Sequence, residues 1–413
     1  MQHPKRKPSK KQIRLVNLIT AVLLVLFLTV GISMKFVSPP SEQPQDQTQQ
    51  EQTQTPEQPQ QTQEQPAQQA VRTSFYAVGD NLIHKAIFAP AQTSDGTYDF
   101  TKNYQYVKDS IQAADIAIIN QETVINDYAP PEHYPTFSTP IEMLQTIIDL
   151  GFDVANVATN HMLDQGKAGL INSLQHIQNS SLIASGAFLG EEDRDKVRIV
   201  SRNGMDFAFV GVTYGTNGIP VPKTDELLVN LIEDEQSIKE QITQAKEQSD
   251  FVIAMVHWGN EYADNFNQDQ TAYAQKLADW GADLIIGHHP HVIQPIDTVT
   301  SADGRTVYVA YSLGNFISAQ DSGKRLIGAG LSFDVVRDEN GTIRVENLCA
   351  EPLITQVESG FKNIRVYRFS DYTSTLASQH MLQAKGWSLD YIADHFQTIM
   401  GDYAKIENSE LAS

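Results

Sequence analysis

The chain holds 413 residues with 30 basic and 50 acidic side chains, a formal net charge of −20 at pH 7. That balance, with no basic run in the globular part, excludes nucleic acid and anionic lipid as partners of the folded surface, because like charges repel over the ~8–10 Å of a Debye length. One cysteine, Cys349, excludes an intrachain disulfide, and the length admits two or three domains held by their cores alone.

Residues 1–14 carry six basic side chains and no acid. Residues 15–37, LVNLITAVLLVLFLTVGISMKFV, then run uncharged to Lys35, matching the ~20 apolar residues of a membrane-spanning helix. The basic flank predicts a cytoplasmic N-terminus with everything after the span outside the cell. A cleaved secretion signal is the alternative, but its apolar core runs only ~7–15 residues and no small-x-small cleavage site follows Gly31. Either reading exports the remainder, and the anchor reading gives a single-pass protein of the cell membrane with an extracellular C-terminal domain. Residues 38–70 are a Gln, Pro, Thr and Glu tract with almost nothing to bury, which predicts a disordered, extended linker. Without the seven basic residues through Lys35 and the five acids of this linker, 23 basic face 45 acidic side chains, a net charge near −22.

From Val71 the composition becomes globular, and one domain is expected over 71–370. Strands are predicted at 73–81, 115–123, 152–160, 205–214, 250–259 and up to Ile286, with helices at 103–115, 140–150, 166–178, 233–248 and 268–280 between them. Alternation of helices with continuous apolar runs predicts an α/β sheet covered on both faces. Further strands at 306–316, 329–338, 342–353 and 363–369 lack intervening helices. They predict antiparallel hairpins, one turning at Glu339, Asn340 and Gly341, and a second sheet closing against the first. Residues 371–413 read as one or two peripheral helices with a loose acidic tail.

Polar residues of metal-binding type recur where the apolar strands stop: Asp80, then Asn120 and Glu122, then Asn160 and His161, then His257, then His289 and His291. Pro290 fixes its own φ and biases His289 toward extended geometry, so the last two imidazoles form a rigid fork. Each member has a plain structural reading: a solvated loop for the histidine pair, a helix cap for Asn160 and His161, a satisfied core histidine for His257. Their recurrence at one rim of a sheet favours ligation, and mixed carboxylate, amide and imidazole donors suit borderline divalent ions.

In order and spacing, VGDNLIH, INQET, ATNHMLDQG, VHWGNEY, IGHHPHVIQP and YSLGNF resemble the motifs of the bacterial capsule synthesis CapA family of poly-γ-glutamate biosynthesis. That family is similar in turn to calcineurin-like metallophosphoesterases. The resemblance spans residues 73–320 and implies a metallophosphatase-like, four-layer αββα sandwich. It implies a role in making, exporting or anchoring an anionic capsule polymer, by a metal-dependent hydrolase of metallophosphoesterase type. It further implies Asp80, Glu122, Asn160, His257, His289 and His291 as ligands of one or two divalent ions (Mn, Zn or Fe), with His161 as general acid and Asp164 orienting it. The related phosphoesterases carry a histidine two residues after the first aspartate, where this chain has Leu82; His84 is the candidate ligand in its place. Glu122 stands where an aspartate bridges, and these departures leave open a one-metal site or a different scissile bond. The alternatives are a non-catalytic accessory subunit that binds the polymer or a membrane-embedded synthase, and a cell-wall phosphodiesterase. Substrate specificity is expected in the loops at 124–138 and 215–228.

Overall fold

The computed structural model describes residues 70–411. The predicted basic segment over 1–14, the span over 15–37 and, but for Ala70, the linker over 38–70 lie outside the described residues, and among the described residues no helix is long and apolar enough to cross a membrane.

Sixteen strands are described, and fourteen of them form two main sheets. In the first half of the chain they are β1 (Val71–Asn81), β2 (Ile116–Asn120), β3 (Val154–Asn156), β4 (Ile183–Ser185), β5 (Ala187–Phe188), β6 (Ile199–Arg202) and β7 (Met205–Thr213). The second half supplies β8 (Leu228–Val229), β9 (Phe251–His257), β10 (Leu284–His288), β11 (Ile293–Thr300), β12 (Thr306–Leu313) and β13 (Asn315–Ile317). Three longer strands follow: β14 (Ile327–Arg337), β15 (Ile343–Glu358) and β16 (Lys362–Arg368). One sheet runs β16-β15-β14-β1-β2-β3-β4, with β13 pairing β1 beyond the end of β14; the other runs β11-β12-β10-β9-β7-β6. β5 and β8 make a separate two-stranded ribbon.

Inner and outer faces follow from the apolar runs. β9, FVIAMVH, is buried at every position because both of its faces are covered. Between the sheets, Phe75 of β1 meets the edge of Phe207 of β7 at 4.9 Å, and the Ser185 hydroxyl donates to the Phe209 carbonyl. On the far side of the second sheet, Ile238, Ile242, Tyr273 and Leu277 of helices Glu235–Gln248 and Gln268–Trp280 pack on Val252, Ala254 and Ile285. Helices Glu142–Leu150 and Gly166–Gln178 bury Met143, Ile147, Leu170 and Leu174 against the first sheet. The layers are thus helix, sheet, sheet, helix, a mixed α/β fold. Each fully buried Ile, Leu or Phe contributes about 1.5–3 kcal/mol relative to exposure.

Several expectations change in the structure. The helix expected over 103–115 is two short ones, Thr101–Tyr104 and Lys108–Gln112. Tyr106 stacks on Tyr367 of β16 at 4.2 Å and pairs with its backbone, so a tertiary contact breaks the helical period. The strand expected over 152–160 stops at Asn156, whose side chain bonds both the N–H and the carbonyl of Ala158. β11 was not foreseen because Pro295 disfavours a strand; it is tolerated since β11 is the sheet's edge. The expected hairpin between β14 and β15 is present, with Gly341 at φ +83° and the Asp338 carboxylate accepting from the Asn340 and Thr342 amides. The C-terminal segment is not peripheral. Helix Leu389–Met400 buries Ile392 and Phe396 completely in the main core, and the tail is tied down by Lys405 N–H on Ala350 and by Asn408 on the Tyr372 carbonyl.

Candidate metal centre

The topology brings the carboxyl ends of β1, β2, β9 and β10 to one rim. β1 pairs in parallel with β2 and β13, so Asp80 lies opposite both Asn120 and Asn315. β10 pairs in parallel with β9, setting His288 beside His257. The strands close tightly here: a Cβ on Gly79 would sit 1.8 Å from the Gly314 carbonyl, and one on Gly287 would sit 2.0 Å from that of Tyr311. Only glycine permits either approach.

Within this rim two sets of donor atoms each lie within 4.8 Å of one another: Asp80, Glu122 and His257, and Glu122, His289 and His291. Glu122 belongs to both. It is fully buried, and neither carboxylate oxygen has a hydrogen-bond partner. His291 Nε2 lies 3.6 Å and His257 Nε2 3.7 Å from its Oε1. A buried, unpartnered carboxylate is costly unless a cation meets it. The donor set fits a divalent ion on that ground, with Glu122 placed to be shared between two.

The surrounding side chains fix the ligand orientations. Asn120 Nδ2 donates to Asp80 Oδ1 at 2.8 Å and lies 3.4 Å from His257 Nδ1. His257 Nε2, the nitrogen that faces Glu122, lies 2.9 Å from Asn160 Oδ1. Asn160 is held in turn by Asn217, its Nδ2 donating to Asn217 Oδ1 at 3.1 Å. His291 Nδ1 lies 3.1 Å from Asp80 Oδ2 and 3.0 Å from Asn315 Oδ1. Tyr214 packs on His289 with ring centroids 4.5 Å apart.

The HHPH fork differs from the extended geometry expected of it. His289 has φ +98° and His291 φ +58°, conformations that cost of order 1–3 kcal/mol each in a non-glycine residue. They persist because neighbouring segments clamp the loop: Trp258 N–H bonds the His288 carbonyl, Tyr262 N–H that of Pro290, and Asn315 Nδ2 that of His291.

Charge is distributed unevenly. Burial holds the imidazoles of His257, His288 and His289 neutral, the last two pushed down to about 4 and about 3, and neutral imidazole is the ligating form. Burial also opposes protonation of His291, but Glu122 and Asp80 outweigh it and its pKa rises to about 9. Burial, with Asp80 and Glu261 adding repulsion that His291 only partly offsets, drives the Glu122 carboxyl well above the usual range. A bound cation would relieve both groups.

Of the residues singled out from sequence, Asp80, Glu122, Asn160, His257, His289 and His291 converge. His161 and Asp164 stand beside them, Nδ1 to Oδ2 2.7 Å, and Asp164 also accepts the Phe137 N–H. His84 joins neither donor set: its Nδ1 takes the Ala319 N–H at 3.2 Å, and its ring meets the edge of Phe137, which also meets His161. Asn217 escaped sequence reading because a loop of unreadable shape delivers it. His288 and Asn315 carried a weak signal, each sitting at the end of an apolar strand. His288 is fully buried with both ring nitrogens unpartnered.

Residues 74–320 match the family model described as bacterial capsule synthesis protein PGA_cap. The chain is 30% identical over 249 residues to the PGA biosynthesis protein CapA of Bacillus subtilis, covering 59% of this chain and 63% of that one. It is 34% identical over 185 residues to the capsule biosynthesis protein CapA of Bacillus anthracis, covering 43% of each. The match thus spans less than two thirds of either relative. Among solved structures it is similar to the NAD nucleotidase of Haemophilus influenzae, at 12% identity and a TM-score of 0.41, covering 82% of this chain and 58% of that one. The family match covers more than half of the sequence, and the chain belongs to the bacterial capsule synthesis protein family PGA_cap.

Proposed function

We propose that the protein is an exported, membrane-anchored, metal-dependent hydrolase of metallophosphatase type that serves capsule biosynthesis by cutting a bond in poly-γ-glutamate or a similar anionic polymer. The observation that carries this reading is Glu122, buried with two unpartnered oxygens between two triads of ligand-type atoms. In this proposal Asp80, Glu122, Asn160, His257, His289 and His291 hold one or two ions of manganese, zinc or iron. When bound, the metal supplies Lewis acidity at the scissile oxygen and a water nucleophile at neutral pH.

The chain's own groups do the rest. Asp164 accepts the Nδ1 proton of His161, which fixes the ring and leaves Nε2 to hold the proton for the leaving group. Asn217 positions Asn160, and Asn120 positions both Asp80 and His257. General acid catalysis of this kind contributes typically 10²–10⁴-fold.

The test is His161→Ala in the purified chain, assayed on phosphodiesters and γ-glutamyl amides beside its metal content. We expect metal and thermal stability to be kept and turnover to fall by about 10²–10⁴-fold. Turnover equal to wild type would contradict the role given to His161. The absence of His84 from both donor sets favours a second reading, an accessory subunit that binds polymer or synthase through the same site. It predicts no turnover in the wild type and full support of capsule formation by His161→Ala.

A further inference from the structure

The part-exposed Arg325 holds its guanidinium 3.5 Å from the ring centroid of Tyr262, and the Tyr262 ring lies 6.1 Å from that of His291. Most arginines of this acidic chain are spent on protein carboxylates, as Arg72 is on Asp334 and Glu346 and Arg305 on Asp283 and Asp303. The Arg325 guanidinium donates no hydrogen bond within the described residues. Its one ionic neighbour is Asp321, at 3.7 Å and itself largely exposed. A cation stacked on an aromatic face keeps its in-plane N–H donors free, and those donors match two oxygens of a carboxylate at once.

The pair is built into the cluster. Tyr262 N–H donates to the carbonyl of Pro290, between His289 and His291, at 2.7 Å. That contact holds Tyr262 at φ +68°, a conformation rare for a bulky residue. The Arg325 carbonyl accepts from Asn315 Nδ2 at 2.8 Å, and Asn315 Oδ1 lies 3.0 Å from His291 Nδ1. The backbone of Tyr262 is thus tied to Pro290, and that of Arg325, through Asn315, to His291.

We propose that Arg325, stacked on Tyr262, is a specificity-determining residue that anchors a carboxylate of the substrate beside the scissile bond. The proposal rests on the reading of the cluster as a hydrolytic site, and it names the substrate class as a carboxylate-bearing chain. It also accounts for how an acidic protein takes an acidic substrate, by one guanidinium whose only ionic neighbour among the described residues is the exposed Asp321, instead of a basic groove.

Isothermal titration of the metal-loaded full chain with a γ-linked glutamate hexamer, its fully methyl-esterified form and diethyl phosphate tests this, with metal content measured on the same samples. Arg325→Gln should weaken hexamer binding at least tenfold and Arg325→Lys by less, with metal content unchanged and the weak binding of the ester unaffected. Equal hexamer affinity in wild type and Arg325→Gln overturns the anchor, as does a wild type that does not prefer the hexamer to its ester. Loss confined to diethyl phosphate overturns the carboxylate assignment. A wild type that takes up no metal sinks the hydrolytic reading itself, an outcome separate from all of these.

Discussion

The two ends of the parallel strands use the same acids for opposite purposes. At the amino ends, Asp115, Asp153, Asp250 and Asp283 each stand one residue before a strand and accept the amide of a neighbouring strand: Ser74, Ala117, Asp206 and Val252, at 2.8–2.9 Å. Three of them also meet cations, Asp153 with Arg202, Asp250 with Arg337, and Asp283 with both Lys246 and Arg305. At the carboxyl ends Asp80 has amide and imidazole neighbours, while the Glu122 carboxylate accepts no hydrogen bond. Acids at the first rim are satisfied by the fold and belong to its stability. Those at the second share one positive neighbour within the fold, His291, and a bound cation would satisfy them further.

Breaking that contrast should have graded effects. The largest is expected at Glu122. A divalent metal supplied at about 1,000 times its Kd should stabilise the wild type by about 4 kcal/mol, and Glu122→Gln should abolish that gain. Without metal the variant should melt no lower than wild type, since it removes a buried unpaired carboxylate. A metal-dependent rise in Tm that survives in Glu122→Gln would erase the distinction between the rims. Next comes Asp283→Asn at the opposite rim, expected to cost about 1–2 kcal/mol in denaturant unfolding because Lys246 loses its carboxylate and Arg305 keeps only Asp303. Its metal content should equal that of wild type.

A smaller effect concerns acid. In the metal-free chain His288 and His289 stay neutral to about 4 and about 3, whereas an unfolded histidine titrates near ~6.5. Between those values the unfolded state binds more protons, so stability rises with pH and falls as pH drops below about 6.5. The slope should reach about 1.4 kcal/mol per pH unit for each histidine, and His288→Gln should reduce it. A slope unchanged by that variant would show that His288 is not held neutral by the fold.

Much of this was legible from sequence because a strand that stops at its last apolar residue announces which side chain stands at the rim. Asp80, Glu122, His257 and His289 could be found in that way. What was not legible depended on tertiary contacts. The break between Thr101–Tyr104 and Lys108–Gln112 needs Tyr367, and β11 needs the knowledge that Pro295 lies on an edge. The left-handed backbone of His289 and His291 runs against what Pro290 suggests, since clamps from Trp258, Tyr262 and Asn315 set it. Asn217 reaches the site on a loop and Arg325 on the single 3₁₀ turn Gly323–Leu326, whose paths no periodicity encodes. His84 shows the converse, a residue of the right type near the right place whose nitrogen is already spent on Ala319.

The most direct test of the proposed metal centre is elemental analysis of the purified chain, prepared without chelators, beside a His289→Ala and His291→Ala double variant. About two equivalents of a transition metal in the wild type, lost in the variant while it stays folded, is the predicted result. A folded wild type that remains empty after metal is added back would contradict the account, and Glu122 would then need another explanation for its two unpartnered oxygens.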